Sequence, residues 1–273
     1  MIGLGLNATK TPTTNTNIVR SVDAGGGERG SSSSQVNALV LRHDYKDRPV
    51  EPVSSGAASF DQSGNDSISM GDPDNLSFGT GSFSVSCWAN SSQTGTTRFV
   101  LAKKANSAVA GTGYALYLGN TGQDWVFNVS DGSDNKTVFL NLNSNPNQWY
   151  HLCGTFDGVA KTLRMYLDGV LVSTDSNTNI GDVDTTQPFQ IGIAGTITGS
   201  DWDGYVCNVG VWSAILTQPQ VKSIMHKNYA ALSASEKEHL VSWWNLDEET
   251  NVDGTAGTGG VKDYHGSNHG TLA

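Results

Sequence analysis

Basic residues are scarce in this sequence, and the shortage limits the partners it can have. The 273 residues include 16 Lys and Arg against 26 Asp and Glu, which gives a formal net charge of −10. Binding to a phosphate backbone or to anionic lipid depends on clustered Lys and Arg side chains. The sequence contains no such cluster, so we expect neither a nucleic-acid partner nor a membrane partner.

Long hydrophobic runs are also missing. No segment approaches the ~18 apolar residues of a transmembrane helix. Residues 1–7 combine neither the cationic stretch nor the apolar core of a secretory signal. The sequence therefore predicts a protein made in a cytoplasm, with no membrane span.

Cysteine is rare, with only Cys87, Cys153 and Cys207 in the chain. Three cysteines cannot all pair with one another, and no two have the close spacing of a zinc-binding or redox pair. Each falls in a segment that is typical of a β-strand. We interpret all three as small buried apolar residues.

Strand and turn signals dominate what is present. Residues 149–156 place bulky side chains on both faces of a strand and end at Asp157-Gly158. Residues 163–167 and 170–172 then flank Asp168-Gly169, where glycine supplies the positive φ that a two-residue type I′ hairpin needs. This region predicts a β-meander.

Similar segments recur along most of the chain, separated by turns rich in Gly, Ser, Thr and Asn. The predicted strands cover roughly residues 83–90, 98–103, 113–119, 124–130, 136–142, 149–156, 162–167, 170–174, 188–194 and 204–212. Short strands at this spacing are typical of two packed antiparallel sheets.

Helical signals are confined to two short segments. Residues 217–220, Thr-Gln-Pro-Gln, fit a capping box with proline in the first turn, and Val221 and Ile224 follow at helical spacing. A second cap occupies residues 233–236. We expect both helices to be connectors that pack on the edge of the sandwich.

Several of these segments together resemble the laminin-G-like (LamG-like), concanavalin A-like jelly roll. The resemblance rests on the Trp149-Tyr150-His151 strand, the Tyr166-Leu167-Asp168-Gly169 hairpin, residues 83–88 ending in a tryptophan, and residues 204–212 followed by Leu216-Thr217. It covers about residues 39–229. It implies an all-β fold, an antiparallel two-sheet jelly-roll sandwich with short C-terminal connector helices and an extended N-terminal arm.

Composition divides the chain into three parts. Residues 1–36 contain runs of Gly and Ser without periodicity, which is typical of a flexible tether, and we interpret them as an anchoring arm. The resemblance implies that residues 37–232 form the LamG-like sandwich. Residues 233–273 contain segments that resemble the pair that usually opens such a module. They could complete the same sandwich, begin a truncated second module, or pack on a neighbouring copy.

Glutamates are too few and too scattered for the hydrolases of this fold. Laminarinase-type enzymes carry Glu-x-Asp-x-x-Glu on one strand, because alternation then places the two catalytic carboxylates ~5 Å apart on one face. No such run occurs, and no Gly-x-Ser-x-Gly elbow occurs either. We interpret His151 as a hydrogen-bonded core histidine and predict no catalytic residue. A site built from aspartates alone is the alternative.

The resemblance also implies calcium as the cofactor, because LamG-like modules often hold this ion with loop oxygens. The residues it points to are Asp66, Asp203, Asp263 and Asn268. Cys207 stands where the family often carries aspartate, which removes one possible ligand. Solvated loop carboxylates are the alternative interpretation.

Sugar binding by sandwich lectins needs an aromatic face together with amide or carboxylate groups on rim loops. Trp125 and Trp202 are the candidate glycan-binding residues, since each lies beside loop aspartates. Packing in the core or at the sheet edge is the alternative for both. We expect Trp88, Trp149 and Trp212 in the core.

The layout of the whole chain resembles virion proteins of tailed marine phages. It implies a non-catalytic virion surface protein (capsid decoration, fibre or tail component) that contacts other virion proteins through its arm and a host-surface glycan through its jelly roll, as a homo-oligomer. One alternative is a soluble or cell-surface calcium-dependent lectin. The other is a glycoside hydrolase or lyase of concanavalin A-like fold.

Overall fold

The structure is a computed structural model. It describes residues 52, 54, 56–93, 96–105, 110–119, 124–141, 144–195, 199–247 and 260–272. The predicted arm, residues 1–36, lies outside the described residues. Residues 37–51, which were assigned to the sandwich, also lie outside the described residues.

Within the described residues the chain forms fifteen strands and two short α-helices. The strands β1 to β15 are Ala58–Phe60, Ile68–Ser69, Phe83–Ser91, Arg98–Lys104, Gly113–Leu118, Asp124–Ser130, Asn135–Asn141, Trp149–Asp157, Thr162–Leu167, Val170–Ser176, Phe189–Ile191, Gly204–Trp212, Leu240–Trp244, Gly260–Val261 and Gly270–Leu272. The helices are α1, Gln218–Ile224, and α2, Ala234–Lys237.

The strands make two antiparallel sheets that face each other. The seven-stranded sheet has the order β1-β12-β3-β8-β9-β10, and β13 also pairs with β12. The eight-stranded sheet has the order β14-β15-β2-β11-β4-β5-β6-β7. The predicted all-β, two-sheet sandwich with few short helices is therefore confirmed.

The β9–β10 hairpin shows how turn residues set the register. Asp168 and Gly169 have φ angles of 48° and 75°, the left-handed conformations that a type I′ turn requires. Leu167 consequently lies opposite Val170. The Asp168 carboxylate also accepts a hydrogen bond from the His151 main-chain N–H at 2.8 Å, which connects the turn to the start of β8.

Alternating side chains fill the space between the sheets. On β3 the residues Val85, Cys87 and Ala89 are fully buried, and Trp125 and Phe127 reach the same core from β6. Cys153 and Cys207 are buried as well, and all three thiols are free. The predicted role of the cysteines as buried apolar residues is confirmed.

The C-terminal residues supply one strand to the seven-stranded sheet and two to the eight-stranded sheet. β13 pairs with β12, with Trp244 opposite Val209. β15 pairs with β2, with Leu272 opposite Ile68. These residues therefore contribute to the same sandwich as the segment before them.

The helices cover part of the outer face of the seven-stranded sheet. Thr217 and Gln220 form the predicted capping box of α1. Val221 and Ile224 of this helix pack in a second apolar cluster with Cys153, Tyr166 and Trp212 from the sheet. The described helices are all too short to cross a membrane.

Candidate functional site

The helical cover of the seven-stranded sheet ends above Trp88. The Trp88 indole Nε1 donates a hydrogen bond to the Met225 carbonyl, directly after α1, at 3.0 Å. The Trp88 ring contacts the His151 ring, with centroids 5.3 Å apart. The residues that follow on the same face of the sheet, on the side away from α1, are therefore no longer covered by the helix.

Three residues on three adjacent strands form a row at that place. Asn90 on β3 lies opposite Trp149 on β8 and opposite Tyr205 on β12. Residues that pair across strands project to the same side of a sheet. Their neighbours Ala89 and Tyr150 are buried in the core, so the row faces outward. We call Tyr205, Asn90 and Trp149 the aromatic row.

The two rings of the aromatic row come from the strands on either side of Asn90. Their centroids are 6.4 Å apart, with an interplanar angle of 44°. Tyr205 is 44% exposed, and Trp149 is half-buried because its inner part packs against the core. The row therefore presents partly exposed aromatic surface.

Asn90 is the polar centre of the row. Its side chain is 7% exposed, and its Oδ1 accepts no hydrogen bond from the part of the chain that the structure describes. An unpaired buried amide oxygen costs about 1–3 kcal/mol. A hydroxyl donor that reached this oxygen would recover that free energy.

Loop residues with amide and carboxylate groups lie at one end of the row. Asp203, two residues before Tyr205, accepts a hydrogen bond from the Gln93 side chain, and its main-chain carbonyl accepts from Ser92 at 2.8 Å. Asn147 donates from its main chain to Ser91 at 2.7 Å. This edge of the row is polar and includes the Asp203 carboxyl group.

Trp125 and Trp202 lie elsewhere, and their predicted contact with a glycan needs correction. They are 1% and 0% exposed, and their ring centroids are 6.0 Å apart in the core. Neither indole N–H has a hydrogen-bond partner among the described residues. A sugar cannot reach either ring, because packing between the sheets covers both.

Trp149 was expected in the core, and the structure leaves part of its side chain exposed. The signal was present in the alternation of β8. Tyr150, Leu152 and Phe156 point into the core, so Trp149 and His151 must point away from it. What the sequence did not reveal is that His151 is buried whereas Trp149, although it packs against the core, stays partly exposed.

The predicted calcium ligands do not assemble into one site. Asp263 and Asn268 do meet, and both are buried. The Asp263 carboxylate, however, accepts main-chain N–H groups from Trp243, His265, Gly266 and Asn268 at 2.9–3.1 Å. Those donors already occupy both carboxylate oxygens, so this carboxylate organises a loop.

The other two predicted ligands have partners of their own. Asp66 Oδ2 accepts the Asp61 main-chain N–H at 2.9 Å, and Asp203 binds Gln93. In the described ranges no three His, Cys, Asp or Glu side chains are arranged to hold a metal ion. The four residues therefore do not fit a shared calcium ion.

A cleft of about 390 Å³ opens elsewhere in the molecule, and the sequence did not predict it. Its lining comes from two loops, and consists of Asp72, Asp74, Ser77, Asp184, Thr185 and Thr186. The Asp184 carboxylate accepts the Gly79 main-chain N–H at 2.6 Å, which joins the loops. The buried Lys103 ammonium binds residues of both.

His151 has the predicted structural role. It is 2% exposed, and its Nε2 lies 2.9 Å from the Ser86 hydroxyl. Burial lowers its pKa to about 3, so the ring is neutral across the physiological range. A neutral ring enclosed in this way packs against Trp88.

Comparisons with known proteins agree with this architecture. A LamG-like family model, described as the concanavalin A-like lectin/glucanases superfamily, matches residues 62–222, more than half of the chain. No curated protein sequence matches the chain.

Several solved structures are similar to the chain, and the first of them has the same fold. A proposed carbohydrate-binding protein from Bacteroides ovatus is 22% identical, with a TM-score of 0.60; the alignment covers 79% of this chain and only 57% of that one. The heptameric SAP-like pentraxin of Limulus polyphemus is 20% identical, covering 59% and 81%, with a TM-score of 0.43. Domain 4 of the extracellular arabinanase AbnA from Geobacillus stearothermophilus, solved with arabinotriose, is 19% identical, covering 62% and 76%, with a TM-score of 0.48.

Proposed function

Because the chain belongs to the concanavalin A-like lectin/glucanases superfamily, we propose that it is a non-catalytic carbohydrate-binding protein that holds a neutral sugar on the aromatic row. The observation that carries this proposal is the pair of partly exposed rings, Tyr205 and Trp149, in register with Asn90, whose buried Oδ1 has no partner among the described residues. The Bacteroides ovatus protein of the same fold is itself a proposed carbohydrate-binding protein.

The chemistry of the row suits a sugar. The face of a pyranose is apolar, so it packs against Trp149 and Tyr205 in the way that apolar groups pack on aromatic surfaces. Its hydroxyl groups are donors, and one of them would satisfy the buried Asn90 Oδ1 if the rings move aside on binding. A site of this kind combines apolar area with a single buried polar group that fixes orientation.

Charge favours a neutral glycan over an acidic one. Asp203 lies next to the row, and the chain as a whole carries a net charge of −10. Uronate and sulfate groups would be repelled by this field. The nearby Arg98 guanidinium is 4% exposed and is committed to the Gly199 carbonyl and the Gln62 side chain.

The test is binding of neutral and acidic oligosaccharides to the full chain, measured by calorimetry, with Trp149→Ala as the site variant. We expect affinity for a neutral glycan to fall about tenfold in the variant, which corresponds to ~1.4 kcal/mol. Phe139→Ala is the matched control, because Phe139 is a 48% exposed aromatic residue on the other sheet. Equal loss in both variants, or preference for acidic glycans, would contradict the proposal.

The non-catalytic part of the proposal has its own measurement. The glycans that bind are incubated with the protein, and new reducing ends or unsaturated products are followed over hours. We expect none above the level of a protein-free blank. Steady product release would instead favour the hydrolase or lyase alternative.

The setting in which the protein works is also part of the proposal. The sequence layout supports display on a virion surface, as a homo-oligomer anchored to other virion proteins by residues 1–36. Deleting those residues should abolish incorporation into particles and leave glycan affinity unchanged. Normal incorporation of the truncated chain would argue against the anchor.

A further inference from the structure

Lys103 lies near the C-terminal end of β4 and contacts the two loops that line the cleft. Its register partners are Phe189 on β11 and Tyr114 on β5, and both are core residues. The lysine therefore points into the sandwich, and its side chain is 1% exposed. A lysine buried to this extent needs an oxygen partner for each ammonium proton.

Three oxygens surround the ammonium. They are a carboxylate oxygen of Asp72, the Thr185 carbonyl at 3.0 Å and the Gln187 carbonyl at 2.8 Å. One carboxylate and two main-chain carbonyls are the ligand types with which loops hold calcium. Here the three proton donors of one side chain satisfy them.

The arrangement connects the two walls of the cleft. Asp72 belongs to the loop that contributes Asp74 and Ser77, and Thr185 belongs to the loop that contributes Asp184 and Thr186. Main-chain bonds join the same loops, from Met70 to the Phe189 carbonyl at 3.0 Å. The ammonium therefore places a positive charge beside the acidic residues of both loops, Asp72, Asp74 and Asp184.

We propose that the Lys103 ammonium takes the place of a bound divalent cation at this end of the sandwich. The two loops are then held together by a covalently attached charge, and the folded protein gains no stability from calcium. A calcium ion would have to displace the ammonium from all three oxygens. This inference does not depend on what the aromatic row binds.

The test is thermal unfolding of the full chain in EGTA and in about 10 mM CaCl₂. We expect the wild-type midpoint to agree within ~1 °C between the two conditions. Lys103→Met keeps the apolar stem and removes the charge, so its midpoint in EGTA should fall by about 5–10 °C. Calcium should then raise the variant's midpoint by roughly 2 °C or more, because the three oxygens have lost their cation.

Lys136→Met is the matched control, because Lys136 pairs with Asp175 at 2.6 Å on the surface. It should unfold like the wild type in both conditions. Three results would overturn the proposal: stabilisation of the wild type by calcium, wild-type stability of Lys103→Met, or a folded Lys103→Met that does not respond to calcium.

A second variant keeps the test decisive if Lys103→Met does not fold. Asp72→Asn removes the carboxylate from the ammonium and leaves the lysine in place. Its midpoint in EGTA should fall by about 2–5 °C. An unchanged midpoint in this variant would also overturn the proposal.

Discussion

Trp149 and Tyr205 lie on strands that do not pair with each other, yet their ring centroids are 6.4 Å apart, and each residue lies opposite Asn90. The strand between them brings the rings together, because β3 pairs with β12 on one side and with β8 on the other. The buried amide is therefore a group that a ligand on the rings can satisfy only if the rings move aside.

Asn90→Ala should weaken glycan binding without weakening the fold. The variant removes an oxygen that has no partner in the described structure, so we expect affinity to fall about tenfold and the thermal midpoint to stay the same or rise slightly. Calorimetry and thermal unfolding measure the two quantities. Asn179→Ala, in an exposed loop position, is the control that should change neither.

Asp168 should make the protein less stable as the pH rises from about 4 to 6. Burial raises its pKa from 3.8 to about 6, against the lowering effect of the His151 N–H. The folded state then binds more protons than the unfolded state in this window, so the free energy of unfolding falls with rising pH, by at most about 3 kcal/mol.

Asp168→Asn isolates that contribution. Asparagine still accepts the His151 N–H and tolerates the φ of 48°. Chemical denaturation should show the variant equal to wild type near pH 4 and more stable than wild type at pH 7. Parallel pH profiles for the two proteins would rule out this role for the carboxyl.

Gly154→Ala should destabilise the sandwich through a steric clash. A Cβ at this position would run into the Phe127 ring of the facing sheet, and overpacking of this kind costs about 2–3 kcal/mol. Gly71→Ala is the comparison, because its Cβ would meet no atom within 4 Å and only its φ of 70° is unfavourable. Urea unfolding should give it a smaller loss, of about 1 kcal/mol.

Asp263→Ala should be among the most damaging changes at the C-terminal end. The carboxylate accepts four main-chain N–H groups in a buried loop, and their loss should cost about 3–5 kcal/mol. Asp157→Ala, which removes an acceptor for two N–H groups in an exposed turn, should cost less than about 1 kcal/mol. Similar losses in the two variants would contradict the structural role of Asp263.

The candidate site was only partly predictable. The aromatic and amide residue types expected of a glycan site are present, but Trp125 and Trp202 proved to be core residues and Trp149 proved to be partly exposed. A tryptophan on a strand has the same local pattern in both situations. Its exposure depends on whether another element covers that face, and here α1 ends above Trp88, next to Trp149.

The pattern of the sequence by itself determined the ten strands from β3 to β12, the type I′ turn at Asp168-Gly169, the capping box of α1 and the two-sheet sandwich. Each follows from interactions between residues close in the chain, or from alternation along one strand. Only the tertiary structure decided that Asn90 lies between Trp149 and Tyr205, and that Lys103 lies among Asp72 and the Thr185 and Gln187 carbonyls. These groups come from segments far apart in the chain, and their meeting depends on strand register and loop closure, which no local pattern encodes.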